Sequence, residues 1–123
     1  MQRKQHIEDT EQMYLFDWAA MQSGKYPELN LLFHIPNGGK RDAREAARFK
    51  RMGVKAGIPD LFLPVARGKY HGLFIELKAP KGKVSDYQQQ WLRELSASGY
   101  AACVCFGFDE ACHDIVKYLN GEL

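Results

Sequence analysis

The stretch GIPDLFLPVARGKYHGLFIELKAP, residues 57–80, decides how the chain is read. PDLFLPV (59–65) and LFIELKA (73–79) are rich in strand-forming residues, and ARGKYHG (66–72) between them has the composition of a turn. Ile58 precedes a proline, which biases it towards extended backbone. Together these features predict an antiparallel hairpin. Alternation along the second strand sends Leu73, Ile75, Leu77 and Ala79 to one face, and Phe74, Glu76 and Lys78 to the other. A Glu–Lys pair suits a solvated sheet face. On an inner strand it is costly unless the charges find partners.

Reading outward from the hairpin, residues 8–22 carry Met13, Leu15, Phe16, Trp18, Ala19 and Ala20 without Gly or Pro, which predicts a helix. LNLLFHI (29–35) reads as a short strand stopped by the turn signal Pro36-Asn37-Gly38-Gly39. Asp42 to Met52 reads as a second helix, with Ala43, Ala46, Ala47 and Phe49 as its inner side and Gly53 as its C-terminal stop. Ser85 to Ala97 reads as a helix ending near Gly99, YAACVCF (100–106) as a buried strand, and Asp109 to Leu119 as a last helix. This order predicts an α/β fold with a mixed central β-sheet flanked by helices. Strand 73–79 is an inner strand, joined to 100–106 by a parallel crossover.

A chain of 123 residues suits one domain, 1–123, with a core of its own. The polar start MQRKQHIEDT lacks the apolar centre of a signal peptide, and no apolar run is long enough to span a bilayer. A cytoplasmic protein with no membrane partner is expected. Cys103, Cys105 and Cys112 form an odd set without a CxxC pair, so the two strand cysteines read as small apolar filler. Zinc held by these with Cys112-His113 is the competing reading, but structural zinc ligands usually come in tighter pairs. Net charge is only +2, so its distribution says more. Lys40, Arg41, Arg44, Arg48, Lys50, Arg51 and Lys55 cluster against Asp42 and Glu45 alone. Such a stripe suits a polyanion, although a solvated helix face is the commoner meaning.

Asp60 bears on the charged pair in the second strand. It opens the strand that the hairpin lays beside Glu76, and two adjacent carboxylates repel unless a hard divalent cation sits between them. Lys78 reaches the same place from the same face. A metal that acidifies a bound water, with a lysine that stabilises charge built up on a phosphate, suits phosphodiester hydrolysis.

Pro59-Asp60 followed by Glu76-Leu77-Lys78 matches the PD-(D/E)xK nuclease pattern, and the surrounding residues narrow it. His34-Ile35-Pro36-Asn37-Gly38-Gly39, Gly53-Val54-Lys55-Ala56-Gly57-Ile58-Pro59-Asp60-Leu61, Ile75-Glu76-Leu77-Lys78, and Gly82-Lys83-Val84-Ser85 through Gln88 to Trp91 and Gly99 resemble the VRR-NUC branch. The resemblance runs from about Glu8 to Phe106. It implies a restriction-endonuclease-like core and a nuclease dependent on Mg2+ or Mn2+. By the same resemblance Asp60, Glu76 and the Leu77 backbone carbonyl are metal ligands and Lys78 is the catalytic lysine. The family's first-helix Glu, four residues before a Gln, matches Glu8 and Gln12, with Glu11 as the alternative. Either Glu could instead be a first-turn carboxylate favoured by the helix dipole.

Gln88 matches a glutamine that the family keeps near its site. It also completes the S-x-x-Q capping box Ser85-Asp86-Tyr87-Gln88, and both roles can hold together. Asn37 and His34 read as turn chemistry and a strand-end side chain, and Trp91 reads as core. Lys40, Arg41, Arg44, Arg48, Arg51 and Lys55 are the expected DNA contacts. A small lone domain resembles junction-resolving enzymes, which implies a homodimer that cuts branched DNA, four-way (Holliday) junctions above all. The alternatives are a monomeric flap or nick nuclease and a non-catalytic DNA-binding module.

Overall fold

The computed structural model describes residues 2–36 and 42–123. Asn37, Gly38, Gly39, Lys40 and Arg41 lie outside the described residues, and with them most of the expected turn and two of the expected DNA contacts. The elements are α1 (Gln2–Gln22), a 3-10 helix (Pro27–Leu31), β1 (Phe33–His34), α2 (Ala43–Arg51), β2 (Leu61–Leu63), β3 (Leu73–Lys78), α3 (Asp86–Ala97), β4 (Ala101–Phe106) and α4 (Phe108–Leu119). The strands lie in the order β1-β2-β3-β4. β1 and β2 pair antiparallel, as do β2 and β3, while β3 and β4 run parallel. The hairpin, the inner position of β3 and the crossover all stand as the sequence predicts.

Hydrophobic burial separates the two faces of the sheet. Leu61, Leu63, Leu73, Ile75 and Leu77 bury one face against Leu15 and Ala19 of α1 and Ala111, Ile115 and Tyr118 of α4. Glu76 and Lys78 point to the opposite face and are nonetheless buried. The solvated-face reading of this pair therefore fails, and both charges need partners.

Three expectations are corrected. Residues 29–35 are mostly not strand: Pro27 starts a 3-10 helix, Leu29 N–H donates to Tyr26 O at 3.0 Å, and Leu32 N–H donates to Leu29 O at 3.2 Å. The three-residue period of that turn sends both Leu29 and Leu32 into the core, leaving only Phe33–His34 to pair. Second, α2 buries none of its residues: Ala43, Ala46 and Ala47 are exposed and Phe49 is half-buried. This helix is instead held by its ends. Asp42 accepts from Glu45 N–H at 2.8 Å. At the other end Gly53, with φ of 102°, donates to Lys50 O, and Val54 N–H donates to Phe49 O, the paired bonds of a Schellman stop. Third, Trp91 is half-buried rather than core, and its indole N–H donates to Ala56 O at 3.0 Å.

That last bond ties the loop after α2 to α3. Gly57 closes the same contact: its φ is 84°, and a Cβ there would lie 2.8 Å from the Tyr87 Cβ. Among the described residues, no helix is long and apolar enough to cross a membrane.

Candidate active site

Leu61 pairs with Ile75, and one further step of this register sets Asp60 beside Glu76. Asp60 is held at both ends. Its Oδ2 accepts from Leu77 N–H at 2.8 Å. Its carbonyl accepts from Ile35 N–H at 2.7 Å and from His34 Nδ1 at 3.0 Å. Read from sequence as a strand-end side chain, His34 thus anchors the backbone of an acidic residue. The only local hint was its place at the end of a strand.

Glu76 is 2% exposed and Lys78 is 8% exposed. The Lys78 Nζ lies 3.6 Å from Glu76 Oε2. The same oxygen accepts from Gln88 Nε2 at 3.0 Å. Gln88 is oriented by the capping box at the start of α3. Its Oε1 accepts from Ser85 N–H at 2.9 Å, while Ser85 Oγ accepts from Gln88 N–H at 3.2 Å. With its oxygen committed to Ser85, only the amide nitrogen can face Glu76.

Burial first, and then the neighbouring Asp60 charge, push the Glu76 carboxyl up to about 8, with Lys78 opposing. Burial also raises Asp60, against the pull of Leu77 N–H, Glu76, His34 and Lys78. The Glu76 carboxyl therefore holds its proton at neutral pH in the absence of a cation. Glu76 Oε1 is buried and has no hydrogen-bond partner. An acid pair with one orphaned buried oxygen fits a hard divalent cation such as Mg2+ or Mn2+, which takes oxygen donors and removes the repulsion. In a strand, the N–H and C=O of one residue point to the same side. The Leu77 carbonyl therefore faces the Asp60 side, as does the Leu77 N–H.

Glu8 and Glu11 are separated by what they touch. Glu8 Oε2 accepts from Ala79 N–H at 3.4 Å, just past Lys78. Glu11 Oε1 accepts from Phe108 N–H at 2.8 Å and so caps α4, whose Gly107 N-cap has no side chain to do it. Glu8 thus stands at the site end of β3. It does not close a tight trio with Asp60 and Glu76. Among the described residues, the three donors that gather within 4.8 Å of one another are those of Cys103, Cys105 and Asp114. Cys112 and His113 do not join them: Cys112 lies about 200° around α4 from Asp114, and His113, about 100° away, is exposed. Arg44, Arg48, Arg51 and Lys55 are exposed on α2 and the loop that leads to Asp60.

A mixed sheet flanked by helices, with an acid pair and a lysine across its inner hairpin, defines the restriction-endonuclease-like class of α/β domains. Residues 8–109 match the VRR-NUC domain. A solved structure described as a VRR_NUC domain protein is 37% identical, with a TM-score of 0.79 over 92% of this chain and 88% of that one. No curated protein matches the chain. The chain belongs to the VRR-NUC domain family, and membership carries a nuclease-type role in DNA processing.

Proposed function

We propose that this chain, residues 1–123 acting as one domain, is a metal-dependent, structure-selective DNA endonuclease that resolves four-way junctions as a homodimer in the cytoplasm. The observation that carries the reading is Glu76: a buried acid beside Asp60, met by Lys78 and Gln88 on one oxygen and without a hydrogen-bond partner on the other. A non-catalytic binding module has no use for so costly an arrangement.

Asp60, Glu76 and the Leu77 carbonyl would hold Mg2+ or Mn2+, with Glu8 as the acid nearest the end of β3. When bound, such a cation acidifies water and neutralises charge on the phosphate. The remaining roles fall to the chain itself. Gln88 keeps Glu76 Oε2 occupied and so leaves Oε1 for the cation. Lys78 stabilises the oxygens of the phosphate as negative charge builds on them. Arg44, Arg48, Arg51 and Lys55, with Lys40 and Arg41 before them, bind the DNA backbone. Two copies related by a two-fold axis give one site for each of the opposing strands of a junction.

The test is cleavage of four-way junctions, flaps, single strands and duplex with Mg2+, Mn2+ or EDTA, together with light scattering for mass. Paired nicks in the junction by a dimer are expected. A monomer that prefers a flap overturns the junction assignment, and binding without any cleavage overturns the enzyme.

A further inference from the structure

We propose that Cys103, Cys105 and Asp114 form a second cation site, for Zn2+, on the face of the sheet opposite Asp60 and Glu76. The register fixes the face. Cys103 lies beside Ile75 and Cys105 beside Leu77, whereas Glu76 lies beside Val104. α4 packs on the side of Ile75 and Leu77 and brings Asp114 to the two thiols.

The spacing is that of a metal site. The two sulfurs are 3.9 Å apart, and Cys105 Sγ is 3.3 Å from Asp114 Oδ2. A tetrahedral zinc ion with Zn–S of about 2.3 Å and Zn–O of about 2.0 Å needs sulfurs about 3.8 Å apart and sulfur and oxygen about 3.5 Å apart. Two of the three separations stand close to those values already, and Cys103 and Asp114, within 4.8 Å of each other, close the third by a small side-chain movement on a strand and a packed helix. Two thiolates with one carboxylate select Zn2+ over Mg2+, which prefers oxygen throughout. Cys103 and Asp114 are only half-buried, so a water can take the fourth position.

Without a cation the same atoms form a chain of weak hydrogen bonds. The Cys105 thiol donates to Asp114, and the Cys103 thiol reaches Phe74 O at 3.9 Å. The Cys103 thiol first, then burial and Asp114, hold the Cys105 thiol far above its ordinary range. On binding, the two thiol protons pass to solvent and the ion takes their place. β4 is the outer strand of the sheet, so the ion would clamp that edge to α4.

Titrating the reduced, chelator-treated full chain with Co2+ tests this through the thiolate-to-cobalt charge-transfer absorption, followed by displacement with Zn2+. The band is expected at one equivalent. Cys103→Ser and Cys105→Ser should each lose it, Asp114→Asn should weaken the Co2+ affinity read from the band, and Cys112→Ser and Asp60→Asn should leave the band and the affinity read from it unchanged. Circular dichroism reports folding. If the buried Cys105→Ser fails to fold, the half-buried Cys103→Ser and Asp114→Asn decide. No band at several equivalents, or a band that survives loss of Cys103, overturns the site.

Discussion

Gln88 bridges two parts of the fold: its Oε1 accepts from Ser85 N–H at 2.9 Å, and its Nε2 donates to Glu76 Oε2 at 3.0 Å. One side chain therefore caps α3 and orients a buried acid of β3. The two duties separate by substitution. Gln88→Glu keeps the cap acceptor but sets a second carboxylate against Glu76. Its melting temperature should stay near wild type, while activity falls at least about tenfold, one pKa unit's worth of free energy, and more Mg2+ is needed. Gln88→Ala should cost about 1 kcal/mol of stability through the lost cap. Equal metal dependence in Gln88→Glu and wild type would reduce Gln88 to a cap alone.

The acids themselves behave differently under substitution. Asp60→Asn and Glu76→Gln should each abolish cleavage and leave DNA binding within a few-fold. Glu76 carries a proton near neutral pH, so the neutral Gln mimics it, and the melting temperature should not fall. Near-normal turnover in either variant would remove the pair from the chemistry.

The raised Glu76 carboxyl sets a pH dependence. Its ordinary value is 4.5 and its folded value about 8, so between these the folded state binds the extra proton. Stability from this group is complete below about pH 4.5 and is lost as pH rises through about 8. The metal-free melting temperature should drop by several degrees from pH 5 to pH 8.5. Glu76→Gln should flatten that drop, and added Mg2+ should reverse it at the alkaline end. A wild-type profile as flat as that of Glu76→Gln would refute the shift.

Glu8 and Glu11 should part company in the same assays. Glu11→Ala uncaps Phe108 N–H at the start of α4 and should lose about 1 kcal/mol of stability, with activity per folded molecule preserved. Glu8→Gln should melt near wild type and cleave more slowly, since its carboxylate stands at the site end of β3. The reverse pattern would exchange their roles.

The exposed arginines of α2 predict a salt effect. Replacing Arg44 and Arg48 by Ala should reduce the slope of log affinity against log salt by roughly 2 if each meets one phosphate. An unchanged slope would make α2 a solvated helix only.

Much of this was legible because it is local. Strand alternation put Glu76 and Lys78 on one face, and the Pro59-Asp60 hairpin put Asp60 beside them. The S-x-x-Q spacing announced the Ser85–Gln88 cap. Residues 29–35 misled for the converse reason. Their apolar run fits a strand, but Pro27 starts a 3-10 turn that buries Leu29 and Leu32 more completely. The alanines of α2 likewise look like an inner face, yet capped ends keep that helix in place without a buried side.

The sequence by itself determined the order of elements, the hairpin and the chemical types that meet at its mouth, because each depends on residues a few positions apart. Only the tertiary structure decided that Glu76 is buried with one oxygen lacking a hydrogen-bond partner, that Gln88 meets the other, that Glu11 is engaged at α4 while Glu8 reaches β3, and that Asp114 joins two cysteines. Those outcomes depend on how each helix is turned and slid against the sheet. Helical register is set by the summed packing of many side chains far apart in the chain, and no local period encodes it.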